Sequence, residues 1–278
     1  MADNPDQRAY PTMRPAVREA YGPADLSGNP VFAGGFINFG YWRAIDLDRP
    51  PSEADRIRSQ EDLYRHVLDA AGLPTDPEIL EVGCGLGMGC AVALREYGPV
   101  AVVGMDIHPE QLQRARGAQA PLLRADPARL SFVQGAAEHM PLEDGTYDAV
   151  ISVEAAQHFP DLLAFAAETA RVLRPGGRAA VASFFTVDDA PGRPMNSPAC
   201  WSRTRTVWTS PGRCGRSPTR SRRRAGGRAH RVDRGACLAG LGPLAQPVVG
   251  PGTWPRNFLH AYDERILDYY VVTAGRPG

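Results

Sequence analysis

Apolar and polar positions divide the chain into one regular stretch flanked by two irregular ones. Ser52 opens a helical pattern in which Leu63, Val67, Leu68 and Ala71 share a face, and Gly72 and Pro74 stop it. From 78 to 186 the period alternates. Residues 79–82 predict a strand, 91–97 a helix, and 100–105 a second strand. Pro109 starts another helix, where its missing N–H costs nothing. Residues 130–134 and 147–153 predict two more strands and 162–173 a helix. Pro175-Gly176-Gly177 turns the chain into a fifth strand over 178–185. Continuous apolar strands with interleaved helices mean a parallel sheet buried on both faces, in a doubly wound α/β domain. After about 190 the pattern fails. It returns near Trp254, and 267–273 reads as a last strand. Residues 1–50 are rich in Pro and Gly with scattered aromatics, and predict an irregular arm packed on something. There is no internal repeat.

Composition narrows the class. A chain of 278 residues suits one large domain, or a domain with a cap. No stretch approaches the roughly 18 to 20 apolar residues of a membrane span. The polar, acidic start is not a secretory signal. Five cysteines without regular spacing exclude a disulfide scaffold and a zinc ribbon. A cytoplasmic enzyme is expected. Net charge is zero, yet it is unevenly spread. Every basic residue is arginine, and residues 201–240 hold 11 of the 31 with a single acid, Asp233. The rest of the chain carries 20 basic and 30 acidic residues.

The chemistry starts after the first strand. Gly83-Cys84-Gly85-Leu86-Gly87-Met88-Gly89 leads into a helix, and its glycines let a ligand approach bare backbone. Asp106 ends the second strand, where an acid accepts hydrogen bonds from both ribose hydroxyls of a nucleoside. A dinucleotide fingerprint would need glycine at position 88, which is Met88. Glu81 precedes the loop; it repels a phosphate and suits a cofactor carrying an ammonium or sulfonium. The implied cofactor is S-adenosylmethionine. A tight turn without a ligand is the competing reading of the glycines, and Asp106 argues against it.

At this point the sequence resembles class I S-adenosylmethionine-dependent methyltransferases, in particular the small-molecule enzymes of actinobacteria. The matching residues are Glu81 to Gly87, Asp106, Gly135-Ala136-Ala137-Glu138, Ser152 to Phe159, and Leu173 to Gly177. The resemblance covers roughly 75–190. It implies a Rossmann-like, doubly wound seven-stranded sheet, mostly parallel with the last strand antiparallel. An N-terminal helical arm and a cap region would accompany it. By position, Glu81, Gly83, Cys84, Gly85 and Gly87 would line the methionine end of the cofactor. Asp106 would hold the ribose, and Ile107 beside it would belong to the cofactor site. Ala137 and Glu138 would border the adenine, and Ala136, Val153, Glu154 and His158 would complete the site. Many relatives carry an acid where this chain has Ala137. Phe39-Gly40-Tyr41-Trp42 looks like the family's Gly-Tyr-Trp element over the cofactor, which places Tyr41 and Trp42 in the site; core aromatics are the alternative.

Methyl transfer is an in-line displacement whose leaving group is a neutral thioether. The enzyme must align the acceptor and, for a hydroxyl or ammonium, remove a proton. His158 is the candidate base, with a role in packing on the cofactor as the alternative. Similar sugar O-methyltransferases pair this histidine with an acid at the end of the fifth strand. Here Ser183-Phe184 stands there, and the nearest acids are Asp188 and Asp189. Cys84 reads as a small residue in a tight turn, and His66 and His139 as surface residues. No metal is expected.

Residues 201–240 hold almost no aliphatic side chain larger than alanine before Leu238, and are not expected to supply the helix and strand the fold needs. Arginine interleaved with Trp201 and Trp208 suits a nucleic-acid-binding insertion. An out-of-frame reading of a GC-rich gene gives the same composition. Our hypothesis is two compensating frame errors, near 195–200 and 240–250; an unshifted frame on resequencing the gene would sink it.

The expected organisation is an arm and helix over the cofactor (1–74), a cofactor-binding core (75–190), a cap and acceptor region (191–250) and final strands (251–278). The expected activity is methylation of a small-molecule secondary metabolite, such as an antibiotic precursor. Oxygen is the first acceptor, then nitrogen, then carbon. The alternatives are an RNA methyltransferase and a non-catalytic binding protein of the same fold, with a nicotinamide enzyme only if the Met88 argument fails. The expected partner is the acceptor; a homodimer is open, and neither membrane nor nucleic acid is expected.

Overall fold

The computed structural model describes residues 13–186, 228–231 and 267–278. Along the chain lie helix α1 (Pro15–Tyr21), α2 (Glu53–Ala71), strand β1 (Glu78–Val82) and α3 (Met88–Glu96). Then come β2 (Ala101–Asp106), α4 (Pro109–Ala118), α5 (Ala120–Ala125), β3 (Leu130–Gln134) and β4 (Tyr147–Val153). α6 (Leu162–Val172), β5 (Leu173–Thr186), β6 (Arg228–Arg231) and β7 (Leu267–Gly275) follow, and two short 3-10 turns, Leu26–Gly28 and Ala156–His158, complete the described elements.

Local chemistry sets the helix ends. The Ser52 hydroxyl accepts from the Asp55 N–H, and the Asp55 carboxylate accepts from the Ser52 N–H, so α2 begins with a reciprocal capping box. It ends at Gly72 in the left-handed region. Its buried face carries Leu63, Val67, Leu68 and Ala71. α6 starts where Asp161 accepts from the N–H groups of Leu163 and Ala164.

β1 to β5 and β7 form a mixed sheet in the order β3-β2-β1-β4-β5-β7. The first five strands are parallel, and β7 runs antiparallel to β5. Strand alternation sends Ile79, Val102 and Ile151 into one core with α2, α3 and α4, and Leu80, Met105 and Val150 into another with α6. The sheet is thus covered on both faces. Truncating a residue such as Leu68 would cost about 2–5 kcal/mol.

Several expectations shift. The arm is not irregular throughout, because Pro15–Tyr21 is helical. β5 begins at Leu173, and the Pro175-Gly176-Gly177 turn becomes a kink inside it, with Gly176 at φ +84° and a register shift against β4. Arg228–Arg231, within the arginine-rich window, pairs antiparallel with β7. A ladder is made of backbone groups, so it does not demand aliphatic side chains. Asp188, Asp189 and the rest of the cap region lie outside the described residues.

Candidate active site

The strand order reverses between β1 and β4, and ligands in open α/β sheets bind at such a point, beyond the carboxyl ends of the strands. A cleft of about 930 Å³, counting its solvent-open space, lies there. Its floor comes from the ends of four parallel strands and the segments after them: Gly83 to Gly85 after β1, Asp106 and Ile107 at the end of β2, Gly135, Ala137 and Glu138 after β3, and Val153 to Ala155 and His158 to Pro160 at and beyond the end of β4. Its cover comes from Val17 and Tyr21 of α1, from Met13 and Arg14 just before it, and from Gly35, Phe36 and Ile37 of the arm.

Two backbone donors hold Asp106. The Gly85 N–H donates to Oδ2 at 3.0 Å and the His108 N–H to Oδ1 at 2.9 Å. Burial pushes this carboxyl upward, and the two N–H groups oppose that push. Each oxygen keeps acceptor capacity for a ligand. Gly85 has φ +51°, and a Cβ added there would meet only Ile37 Cδ1, at 3.9 Å. The loop therefore offers bare backbone to the cleft.

Two further carboxyls are buried around this floor. Glu81 is fully buried and does not border the cleft; it lies behind Tyr64, which does. Its Oε2 accepts from Cys90 Sγ at 3.0 Å, while Oε1 lacks a well-aligned hydrogen-bond partner. Burial pushes its carboxyl up to about 7, against the opposing contacts of Cys90 and Tyr64. Glu154 does border the cleft, and its Oε1 accepts the Phe39 N–H at 3.0 Å. Burial pushes it up to about 8. Its φ of +50° is costly for a residue with a Cβ, about 1–3 kcal/mol.

His158 sits in the turn after β4. Ser183 holds that turn by accepting the Gln157 N–H at 3.2 Å and by a short bond to the Gln157 side chain. The serine thus stands where similar sugar enzymes have an acid. The Tyr21 hydroxyl lies 2.9 Å from His158 Nε2, and the two rings meet edge-on. Burial, then Arg14, pushes the imidazole down to about 4, so it is neutral at pH 7. Burial, with Glu154 and Asp106 nearby, raises the Tyr21 hydroxyl well above its usual range.

Of the residues singled out in the sequence, Gly83, Cys84, Gly85, Asp106, Ile107, Ala137, Glu138, Val153, Glu154 and His158 border the cleft together. Glu81, Gly87 and Ala136 stand behind it. Tyr41 and Trp42 are away from it. Tyr41 stacks on His66 at 4.7 Å, and the buried Trp42 donates its indole N–H to the Phe39 carbonyl. Tyr41 packs the arm onto α2, Trp42 ties the arm to itself, and Phe36 and Ile37 face the cleft instead. His66 is half-buried by that stacking rather than lying at the surface, and His139 is exposed. Sequence reasoning missed Arg14, Tyr21 and His108. None has a local motif; the helical run after Pro15 was the available signal.

The cleft suits a nucleoside cofactor that is cationic rather than phosphorylated. Asp106 and Glu138 border it, and Arg14 is the one arginine among the described residues that does. The Glu81 carboxyl, close behind the glycine loop and touched by Cys90 and Tyr64, fits the same charge.

Comparison with known proteins agrees. Residues 80–181 match the family model described as "Methyltransferase domain". The chain is 33% identical to a fatty-acid O-methyltransferase of Mycolicibacterium smegmatis over 168 residues, 60% of this chain and 56% of that protein. It is 36% identical to a 2-methyl-6-phytyl-1,4-hydroquinone methyltransferase of Synechocystis over 143 residues, 50% of this chain and 43% of the other. The chain thus spans about half the length of these curated relatives. Its fold is similar to that of geranyl diphosphate C-methyltransferase from Streptomyces coelicolor, with a TM-score of 0.68 over 86% of this chain and 90% of the other, at 18% identity. Strand order, cleft position and sequence match converge on one region: residues 80–181 resemble a class I, S-adenosylmethionine-dependent methyltransferase domain.

Proposed function

We propose that the chain is an S-adenosylmethionine-dependent methyltransferase that methylates an oxygen of an apolar small molecule. The carrying observation is the pairing of Tyr21 with His158 at 2.9 Å on the border of the cleft that holds Asp106 and the glycine loop. Asp106 would accept the ribose hydroxyls. Ala137 and Glu138 would border the adenine. Gly83 to Gly85 would present backbone to the methionine end, with Glu81 behind them as counter-charge. The bound cofactor supplies an electrophilic methyl on a sulfonium and departs as a neutral thioether.

The chain's own residues would do the rest. The acceptor hydroxyl passes its proton to the Tyr21 oxygen while the Tyr21 proton moves to His158 Nε2. His158 ends as imidazolium and Tyr21 is restored, so one proton is transferred and none is lost. A neutral imidazole has the vacant lone pair this needs. Val17, Phe36, Ile37, Leu86, Met88 and Phe159 give the cleft an apolar wall and exclude water. That wall, with the fatty-acid and hydroquinone acceptors named for the relatives, supports an apolar metabolite rather than RNA. A nitrogen acceptor would use the same pair. We read β6 as the seventh strand of the sheet and 191–250 as the acceptor cap, in a cytoplasmic enzyme.

The test is calorimetric titration of the full chain with S-adenosylhomocysteine, with NAD in parallel. Labelled methyl transfer to a fatty acid and to a hydroquinone would follow, with the methylated atom read by NMR. Binding of NAD in place of S-adenosylhomocysteine would overturn the reading. A product methylated on carbon would overturn the choice of atom.

A further inference from the structure

His108 stands between the floor and the cover of the cleft. Its backbone N–H donates to Asp106 Oδ1 at 2.9 Å. Its ring Nε2 lies 3.1 Å from the Arg18 carbonyl of α1. A carbonyl only accepts, so Nε2 carries the proton. Nδ1 then accepts the Glu110 N–H at 3.3 Å and caps α4. Further along α4, Arg114 donates to the carbonyls of Tyr21 at 2.8 Å and Gly22 at 2.7 Å. The Tyr21 carbonyl ends α1, where a helix cannot satisfy its own acceptors, and the Gly22 carbonyl just beyond it also accepts the Asp25 N–H at 3.1 Å. The fit is tight: a Cβ on Gly22 would lie 2.7 Å from His108 Nε2. α1 itself has no fully buried residue, so apolar packing contributes little to its position.

We propose that His108 and Arg114 are positioning residues that hold α1 closed over the cleft and keep the Tyr21 hydroxyl on His158. Occupancy at Asp106 and placement of the Tyr21–His158 pair are thereby coupled through one short link. The identity of the ligand rests on the methyltransferase reading; the link does not. Such coupling is reciprocal: a ligand that needs the closed cover holds α1 down, and loosening α1 loosens the ligand. Met13, Val17 and Tyr21 border the cleft, so the loosening appears in the dissociation rate.

The test uses the full chain with His108→Asn and Arg114→Met. Asparagine keeps a good helix N-cap and the backbone N–H to Asp106, but lacks the reach to α1. Methionine keeps much of the arginine stem and loses its donors. The first readout is tryptic cleavage of the Arg18–Glu19 bond in ligand-free protein, followed by mass spectrometry. Arg14 precedes Pro15 and is protected from trypsin. Both variants are expected to be cut about fivefold faster there, with global melting nearly unchanged. The second readout is dissociation of S-adenosylhomocysteine, expected to quicken about fivefold with little change in association. Arg114→Lys should recover part of both effects, and in a Tyr21→Phe background His108→Asn should slow methyl transfer less than it does alone. Cleavage at wild-type rate would overturn the link. Faster cleavage with unchanged dissociation would overturn the coupling. If the wild type binds no S-adenosylhomocysteine, the methyltransferase reading fails, and the cleavage rates still decide the link.

Discussion

The floor of the cleft and its cover are built by different means. The floor hangs on a parallel ladder with cores on both faces, and its chemical groups follow directly from strand ends. α1 in the cover is held mainly by side-chain and carbonyl hydrogen bonds: Arg14 to Phe159, Tyr21 to His158, His108 to Arg18, and Arg114 to Tyr21 and Gly22. Each such bond is worth only about 0.5–1.5 kcal/mol net. The floor therefore opens only with global unfolding, while α1 sits within the range that ligand binding can tip. A rigid site for the cofactor and a releasable cover over it are what repeated turnover requires.

The contrast can be broken most directly at the floor. Asp106→Ala should weaken S-adenosylhomocysteine binding about 100-fold or more, because two charge-assisted hydrogen bonds to the ribose are lost. Binding within a few-fold of wild type, read by calorimetry, would take the ribose away from this residue. At the junction of floor and cover, His158→Ala should lower kcat about 100-fold with cofactor affinity nearly unchanged. Tyr21→Phe should lower it about tenfold. Because His158 is pushed down to about 4, it is neutral through the working range, and kcat should show no imidazole limb near pH ~6.5. A clear limb there would mean that the pair is wet and the cover open.

The smallest effect lies where the arm is tied to the floor. Glu154, pushed up to about 8, still holds a proton in the folded chain at a pH where the unfolded chain has released it. The folded state therefore loses ground as pH rises from about 4.5, the ordinary glutamate value, to about 8. Glu154→Gln keeps the acceptor for the Phe39 N–H and removes that ionisation. Its melting temperature should overtake that of wild type with rising pH, by roughly 2–4 °C at pH ~9 for each kcal/mol of relief. Parallel melting curves across pH would mean that Glu154 is not buried from water in solution.

The sequence by itself determined the floor. Strand and helix periods, the glycine spacing and the acid at the end of β2 are local patterns, and in a parallel sheet the strand ends necessarily share one edge. Asp106, Gly85, Glu138 and His158 could be named because each ends its own strand or follows it within a few residues. Only tertiary structure decided the cover. Tyr21 meets His158 across 137 residues and Arg114 meets Tyr21 across 93, and no periodicity relates such positions. Tyr41 and Trp42 make the same point from the other side. Their aromatic motif marks an arm that must pack, but packing on His66 and Phe39 rather than on the cleft is a matter of three-dimensional fit. Burial, too, is collective: Glu81 and Glu154 read as ordinary carboxylates along the chain, and only the layers around them push their protons on.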